Sequence, residues 1–308
     1  MTQADALMRW VAGDNAVRRA MAWAGLFGIG WAGLELLLVA ELREPLSLLQ
    51  IVWCRYAVHL MIVLLIWGQR TPVTFWRTSR PVSHVCRSLM MIVMPGSFAI
   101  ALAHGIAVEF VWSMFWMAPA LIIAIAAVCL KERPPWAVVA ASFVGALCVA
   151  AMFGHVRSPS LSAIGLALAA AGSFSLYVVL TRSLREQPLS TNMFYTAIAV
   201  FVAATPAMPS VWIWPDAHDL VLLTILGGAG FAVLLALDHA CRAAPAWGGA
   251  NALFTQAFCI DGVLSVVGGG ALRPRVALGL TALVVLIGTL WIRADRFDIG
   301  PSGEPSSG

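Results

Sequence analysis

Two ionisable side chains occur inside the first two long apolar stretches of the chain. Glu35 lies about fifteen residues into the first stretch, and Arg55 lies about eight residues into the second. Stretches of about 20 apolar residues cross a bilayer as helices, and consecutive helices run antiparallel, so both side chains are expected in the same half of the membrane. An ionised side chain costs about 2.5–3.5 kcal/mol at the bilayer centre. The pattern therefore predicts an ion pair, which either fixes two helices or makes Glu35 a proton or cation site that Arg55 releases.

A histidine and a second carboxylate extend this set. His59 follows Arg55 by one helical turn, where it either bridges helices or responds to pH, because histidine ordinarily changes its charge near physiological pH. Asp261, in the middle of the ninth stretch, is predicted to face the bundle interior, either as a proton or cation site or as a neutral acid hydrogen-bonded to another helix. Asn251 is predicted to share its face, whereas Gln256 is offset by about 140°.

Aromatic side chains form a second group of candidates. Trp112 and Trp116 are four residues apart and share a helix face. Facing inward, they would form a wall able to stack on planar or cationic molecules; facing outward, they would contact lipid. Tyr177, in the sixth stretch, is expected to add a hydroxyl group to the same cavity.

Proline and glycine residues predict breaks in the helices. Pro95 and Gly96 are predicted to interrupt the third stretch, and Pro119 is the hinge candidate of the fourth. The small residues 227–230 in the eighth stretch permit either a hinge or close helix packing. Glu109, at the start of the fourth stretch, is predicted to be a rim residue.

The composition restricts the class of protein. Of the 308 residues, 61% are apolar and 11% are charged, whereas soluble domains have about 25% charged residues. The basic residues are dispersed, which argues against nucleic-acid binding. The six cysteines occur singly, without ligand spacing, so neither metals nor disulfides are predicted. No phosphate-binding loop motif is present, so the chain is not expected to hydrolyse ATP. No cofactor is predicted.

Apolar stretches repeat along the chain and predict an all-α membrane protein with ten transmembrane helices. The expected spans are 20–40, 47–67, 84–104, 107–129, 136–154, 161–181, 191–212, 219–238, 245–268 and 274–292. With the N-terminus inside, fourteen of the nineteen basic residues fall in inside segments and four fall outside. This bias predicts a multi-pass protein of the bacterial inner membrane with both termini cytoplasmic.

The two halves of the chain resemble each other. Segment 115–150 is similar to segment 254–290: in each, two apolar helices flank a short break that contains Arg and Pro. Five spans per half would give the second copy the opposite orientation, an inverted repeat of the kind found in secondary transporters. The predicted organisation is a cytoplasmic segment (1–19), a first five-helix repeat (20–155), a second five-helix repeat (160–293) and a disordered cytoplasmic tail (294–308).

Several short motifs in this order resemble the drug/metabolite transporter superfamily, specifically its ten-helix EamA-type members. The motifs are Arg55, Pro119 followed by Lys131-Glu132-Arg133 and Gly145, Tyr177-x-x-x-x-Arg182, and Ala-Ala-Pro-Ala-x-x-x-x-Ala at 243–250. The second half has Leu272-Arg273-Pro274 where the family repeats the glutamate. The resemblance implies a basket-like bundle with a central cavity, lined mainly by the first, third, fourth, sixth, eighth and ninth helices.

Together, the repeat, the buried polar residues and the resemblance predict a secondary active transporter and not an enzyme. The main hypothesis is a gradient-driven exporter of small organic metabolites, such as amino acids or aromatic or cationic amphiphiles, working by alternating access. The alternative is an importer or exchanger of a metabolite on the same fold. A membrane enzyme is the least favoured class. The expected partners are a small-molecule substrate, the lipid bilayer and either protons or a counter-substrate, with the chain acting as a monomer or homodimer.

Overall fold

The structure is a computed structural model that describes residues 13–41, 46–69, 75–153, 160–267 and 274–297. The predicted terminal segments 1–19 and 294–308 lie largely outside the described residues. The described part is helical, and its α-helices are α1 (Ala16–Glu41), α2 (Leu48–Val63), α3 (Pro81–Ala103), α4 (Val108–Phe115), α5 (Ala118–Cys129), α6 (Trp136–Phe153), α7 (Leu161–Ser183), α8 (Leu189–Ala204), α9 (Met208–Val211), α10 (Ala217–Ala243), α11 (Ala246–Ala250), α12 (Phe254–Val267) and α13 (Pro274–Ile292).

Eight helical segments among the described residues are long and apolar enough to cross a membrane. The segment Trp136–Met152 is a shorter apolar helix. Large apolar side chains such as Leu147 and Leu278 remain 70% and 72% exposed on the outside of the bundle, where lipid is the compatible solvent. The prediction of an all-helical, multi-pass membrane protein is confirmed.

Polar residues define the starts of three long helices. The Ser47 hydroxyl accepts a hydrogen bond from the Gln50 amide at the start of α2, and Ser160 caps α7 in the same way. Asp216 and Asp219 form a reciprocal capping box at the start of α10. These caps satisfy amide groups that would otherwise lack partners in the first helical turn.

Two of the predicted spans are broken rather than continuous. The fourth is divided between α4 and α5, with Pro119 in the first turn of α5, where a missing amide proton costs no helical hydrogen bond. The ninth is divided into α11, a 3₁₀ turn (Asn251–Leu253) and α12. The third span differs in the opposite sense: α3 continues through Pro95 and Gly96, so the predicted interruption there was wrong.

The long helices pack around α1 and α3. Helix α1 contacts α10 and α12, and α3 contacts α7 and α8. At the two ends of the described chain, Arg18 on α1 forms an ion pair with Asp295 at 2.5 Å. Asp295 belongs to a 3₁₀ turn (Arg293–Phe297), so the first residues of the predicted disordered tail are helical and pack beside α1.

Close packing between α2 and α10 depends on one glycine of the run 227–230. A Cβ atom on Gly227 would overlap the Val58 side chain, whereas on Gly228 the nearest atom would be 4.0 Å away. We therefore expect Gly227→Ala to lower the free energy of unfolding by about 1–3 kcal/mol, the usual cost of overpacking, and so to lower the thermal unfolding temperature. Gly228→Ala, the matched control, should leave it unchanged. Equal unfolding temperatures for both variants would contradict the packing described here.

Candidate functional site

A cavity with a volume of about 400 Å³ lies between the helices. Helices α1, α2, α3, α4, α10 and α12 supply its lining, which is mainly apolar. The lining includes Glu35, Arg55, Trp112, Trp116 and Asp261, five residues that the sequence singles out. The second predicted span contributes to the wall, whereas the sixth, which the family resemblance placed there, does not. A volume of this size fits a small organic molecule.

Glu35 is held by two neutral partners. The Trp31 indole donates a hydrogen bond of 2.7 Å to Oε1, and the Gln256 amide donates one of 3.2 Å to Oε2. The predicted ion pair with Arg55 is absent from the described residues, where no Glu35–Arg55 contact falls within 4.0 Å. Trp31 mediates between the two, since its ring lies under the Arg55 guanidinium, 5.2 Å from the Cζ atom. Both of the Glu35 oxygens are therefore engaged with protein groups.

Asp261 lies on α12 and also faces the cavity. Its Oδ2 atom is buried and has no hydrogen-bond partner among the described residues. The predicted alternative, a carboxylic acid bonded to another helix, is thus not seen in the described part of the chain. A half-buried carboxylate with an unpartnered oxygen in an apolar surrounding is costly, so this group is available to a positively charged ligand.

The cavity has an aromatic wall. The Trp112 and Trp116 rings are stacked with centroids 6.1 Å apart, and Phe98 lies 4.8 Å from Trp112. Trp116 is only 2% exposed, so the lipid-facing alternative does not describe it. Tyr56 and Trp31 extend the aromatic lining on α2 and α1. Stacked rings of this kind can bind planar or cationic groups.

Three predicted site residues lie outside this cavity. His59 is buried behind Arg55, where it stacks on Tyr56 and lines a separate space of about 10 Å³. Tyr177 lies beneath the guanidinium of Arg87, 5.4 Å from its Cζ atom. Asn251 donates to the Val138 carbonyl at 3.1 Å and does not join Asp261. Of the predicted hinge residues, Pro95 alone lines the cavity. The Glu109 side chain lies outside the described residues.

A buried polar network that the sequence did not reveal lies between α3, α8 and α10. Arg87 is fully buried and donates to the Asn192 carbonyl and the Thr196 hydroxyl, both at 2.5 Å. The Asn192 amide donates to Asp238 at 2.7 Å, and Asp238 forms an ion pair with Arg242. Arg87 lies within the predicted third span, but its burial was not predicted. The apolar spacing gave no signal for this network, which joins residues far apart in sequence.

Three motifs that carry the family resemblance meet in one place. Glu132 forms an ion pair with Arg182 at 3.2 Å, and its other oxygen accepts the Ala246 amide at 2.8 Å. Arg182 also donates to the Cys241 carbonyl at 2.8 Å. The glutamate therefore joins the end of α7 to the start of α11, where a carboxylate is favoured by the unpaired helix amides.

Comparison with known proteins gives distant relatives. The chain is 24% identical over 225 residues to the "S-adenosylmethionine uptake transporter" of Rickettsia conorii, covering 69% of this chain and 74% of that protein. It is 25% identical over 223 residues to the protein of the same name from Rickettsia bellii, covering 68% and 74%. These relatives are named as transporters, which agrees with the prediction that the chain is not an enzyme. No protein-family model matches the chain.

A solved crystal structure shares the fold. It covers 91% of this chain and 98% of its own, with a TM-score of 0.75 and 17% sequence identity. At this identity the likeness shows the arrangement of the helices alone.

Proposed function

We propose that the chain is a secondary transporter that takes up a small cationic metabolite and binds it in the central cavity. The observation that carries the proposal is the combination of an apolar, aromatic cavity with the unpartnered carboxylate of Asp261. A carboxylate in a membrane helix ordinarily belongs to a substrate or ion pathway.

The helix contacts support two inverted repeats of five spans with the ten-helix organisation of EamA-type transporters. If the first five spans correspond in order to the last five, the α1–α10 contact corresponds to the α3–α7 contact. In the same way, the α2–α10 contact corresponds to the α3–α8 contact. Both members of each pair are present. The two broken spans, the fourth and the ninth, also correspond, and matching breaks in the two halves are typical of substrate sites in transporters.

The direction of transport is proposed from the relatives. Four of them are named as uptake transporters, which favours the importer alternative over the exporter that the sequence was taken to predict. These relatives come from Rickettsia species, in agreement with a bacterial inner-membrane location, and the distribution of basic residues favours cytoplasmic termini.

S-adenosylmethionine is the first substrate to test. Its sulfonium group carries the positive charge that Asp261 would balance, and its adenine is a planar ring that Trp112 and Trp116 could stack against. The cavity volume of about 400 Å³ lies within the range of about 300–1,000 Å³ typical of small-molecule sites.

The test is counterflow with purified protein in liposomes. Vesicles preloaded with unlabelled S-adenosylmethionine should accumulate the labelled compound several-fold faster than protein-free vesicles, and Trp116→Ala should reduce the rate. Entry at the protein-free rate would contradict this substrate. Accumulation in intact cells that express the protein, compared with cells that lack it, then distinguishes uptake from export.

A further inference from the structure

The Arg55 guanidinium is held in a fixed position on the cavity wall. One side lies over the Trp31 ring, at 5.2 Å. Another side lies against Gly230 of α10, where an added Cβ atom would be 3.1 Å from Nη2. A larger residue at position 230 would thus require the guanidinium to shift by a few tenths of an ångström. Arg55 is thus packed between an aromatic ring and α10, without an ion-pair partner among the described residues.

No carboxylate of the described residues lies within 4.0 Å of the Arg55 guanidinium, so no ion pair is formed there. The Nε atom of Arg55 is buried without a hydrogen-bond partner, and no protein group in the described part of the chain accepts a hydrogen bond from the guanidinium. The neighbouring Glu35 directs its oxygens to Trp31 and Gln256. A guanidinium offers up to five donors in a planar fork that matches a carboxylate. Its natural complement here is an anionic group that enters the cavity.

The same cavity also contains Asp261, whose carboxylate has no partner among the described residues. One wall therefore offers a cation without an acceptor, and another offers an anion without a donor. A molecule with both charges satisfies both groups at once, whereas a simple cation leaves Arg55 uncompensated in an apolar site.

We infer that Arg55 determines specificity by binding the carboxylate of a zwitterionic substrate of the α-amino-acid class, while Asp261 faces its positively charged group. The inference rests on the proposed function, because it takes the central cavity as the substrate site. It extends that proposal from one named compound to a chemical class and to the group that the protein selects.

The test uses pairs of compounds that differ only in the carboxylate. Suitable pairs are S-adenosylmethionine and its decarboxylated form, methionine and 3-(methylthio)propylamine, and tryptophan and tryptamine. Binding to the purified full-length protein is measured by isothermal titration. In at least one pair, the amino acid should bind about tenfold or more tightly than the amine, as expected for a hydrogen bond to a charged group.

Two variants assign the preference to Arg55. Arg55→Gln should bind both members of the pair equally, and Arg55→Lys should recover part of the preference because it retains the charge. Arg293→Gln, an exposed arginine, is the matched control and should behave as the wild type. A thermal melt of each variant verifies folding.

Three results would overturn the inference. The first is equal or weaker binding of the amino acid in every pair, and the second is a preference that persists in Arg55→Gln. The third is Arg55-dependent binding of chloride alone that equals that of the amino acid, which would make Arg55 an inorganic-anion site. Failure of the proposed substrate is recognised separately. If S-adenosylmethionine neither binds nor crosses the membrane, but another pair shows the Arg55-dependent preference, the named compound is wrong and the inference stands.

Discussion

Asp261→Asn is expected to reduce uptake of a cationic substrate by at least about tenfold and leave the fold intact. The Oδ2 atom of Asp261 is buried without a protein partner among the described residues, so the substitution breaks no protein hydrogen bond seen there. Asparagine keeps the shape but removes the charge that a bound cation requires. A carboxylate with a buried, unpartnered oxygen is itself unfavourable, so the unfolding temperature should be unchanged or higher.

Initial rates of labelled substrate entry into liposomes, together with a thermal melt, test this prediction. Glu186→Gln is the matched control, because the Glu186 side chain is 84% exposed and the residue lies far from α12 in sequence. Undiminished transport by Asp261→Asn would remove this residue from the mechanism. A large loss of thermal stability would instead show that Asp261 has a structural partner.

Asp238→Ala is expected to have the largest effect on stability. Asp238 is 1% exposed, accepts a hydrogen bond from Asn192 and pairs with Arg242. Arg242 also donates to the carbonyl groups of Arg185 and Gln187 at 2.6 and 2.7 Å, so the network joins α10 to the connection between α7 and α8. Loss of the carboxylate removes the acceptor of the buried Asn192 amide and the counter-charge of Arg242, and breaking a buried pair of this kind costs about 3–5 kcal/mol.

The measurement is the thermal unfolding temperature in detergent. Asp295→Ala provides the control, since Asp295 also pairs with an arginine, Arg18, but its side chain is 64% exposed. Exposed pairs contribute at most about 1 kcal/mol. The Asp238→Ala variant should therefore unfold at a clearly lower temperature than the Asp295→Ala variant, and similar temperatures would contradict the structural role of the buried network.

Much of the helix layout could be predicted because each long apolar stretch must satisfy its backbone hydrogen bonds within lipid. The pairing of side chains was harder to foresee. Glu35 and Arg55 were expected to meet directly, but the Trp31 ring lies between them and engages both. Sequence spacing identifies neighbours along a helix, but it does not show whether a third side chain lies between two residues on different helices.

The ninth span shows why helical periodicity failed locally. Asn251 was assigned to the same face as Asp261 on the basis of 100° per residue, but the 3₁₀ turn Asn251–Leu253 precedes α12 and has a different angular repeat. Asn251 consequently bonds to Val138, while Gln256 reaches Glu35. Trp112 and Trp116 lie within and at the end of one helix, and their predicted common face holds.

The burial of Arg87 could not be predicted for a related reason. Arg87 is basic and lies close to the start of the predicted third span, yet its side chain is fully buried in the packing of α3. Its hydrogen-bond partners, Asn192 and Thr196 on α8, are more than one hundred residues away in sequence. Only the packing of α3 against α8 brings them together.

Protection of a cavity position from chemical modification tests the central claim most directly. In a background with the six cysteines replaced by alanine, Ile260→Cys places a thiol on the cavity lining, and Ser210→Cys places one at an exposed position of α9. S-adenosylmethionine is predicted to slow alkylation of Ile260→Cys in the purified protein and to leave Ser210→Cys unaffected. Equal alkylation rates at Ile260→Cys with and without the compound, at concentrations that saturate transport, would contradict substrate binding in the central cavity.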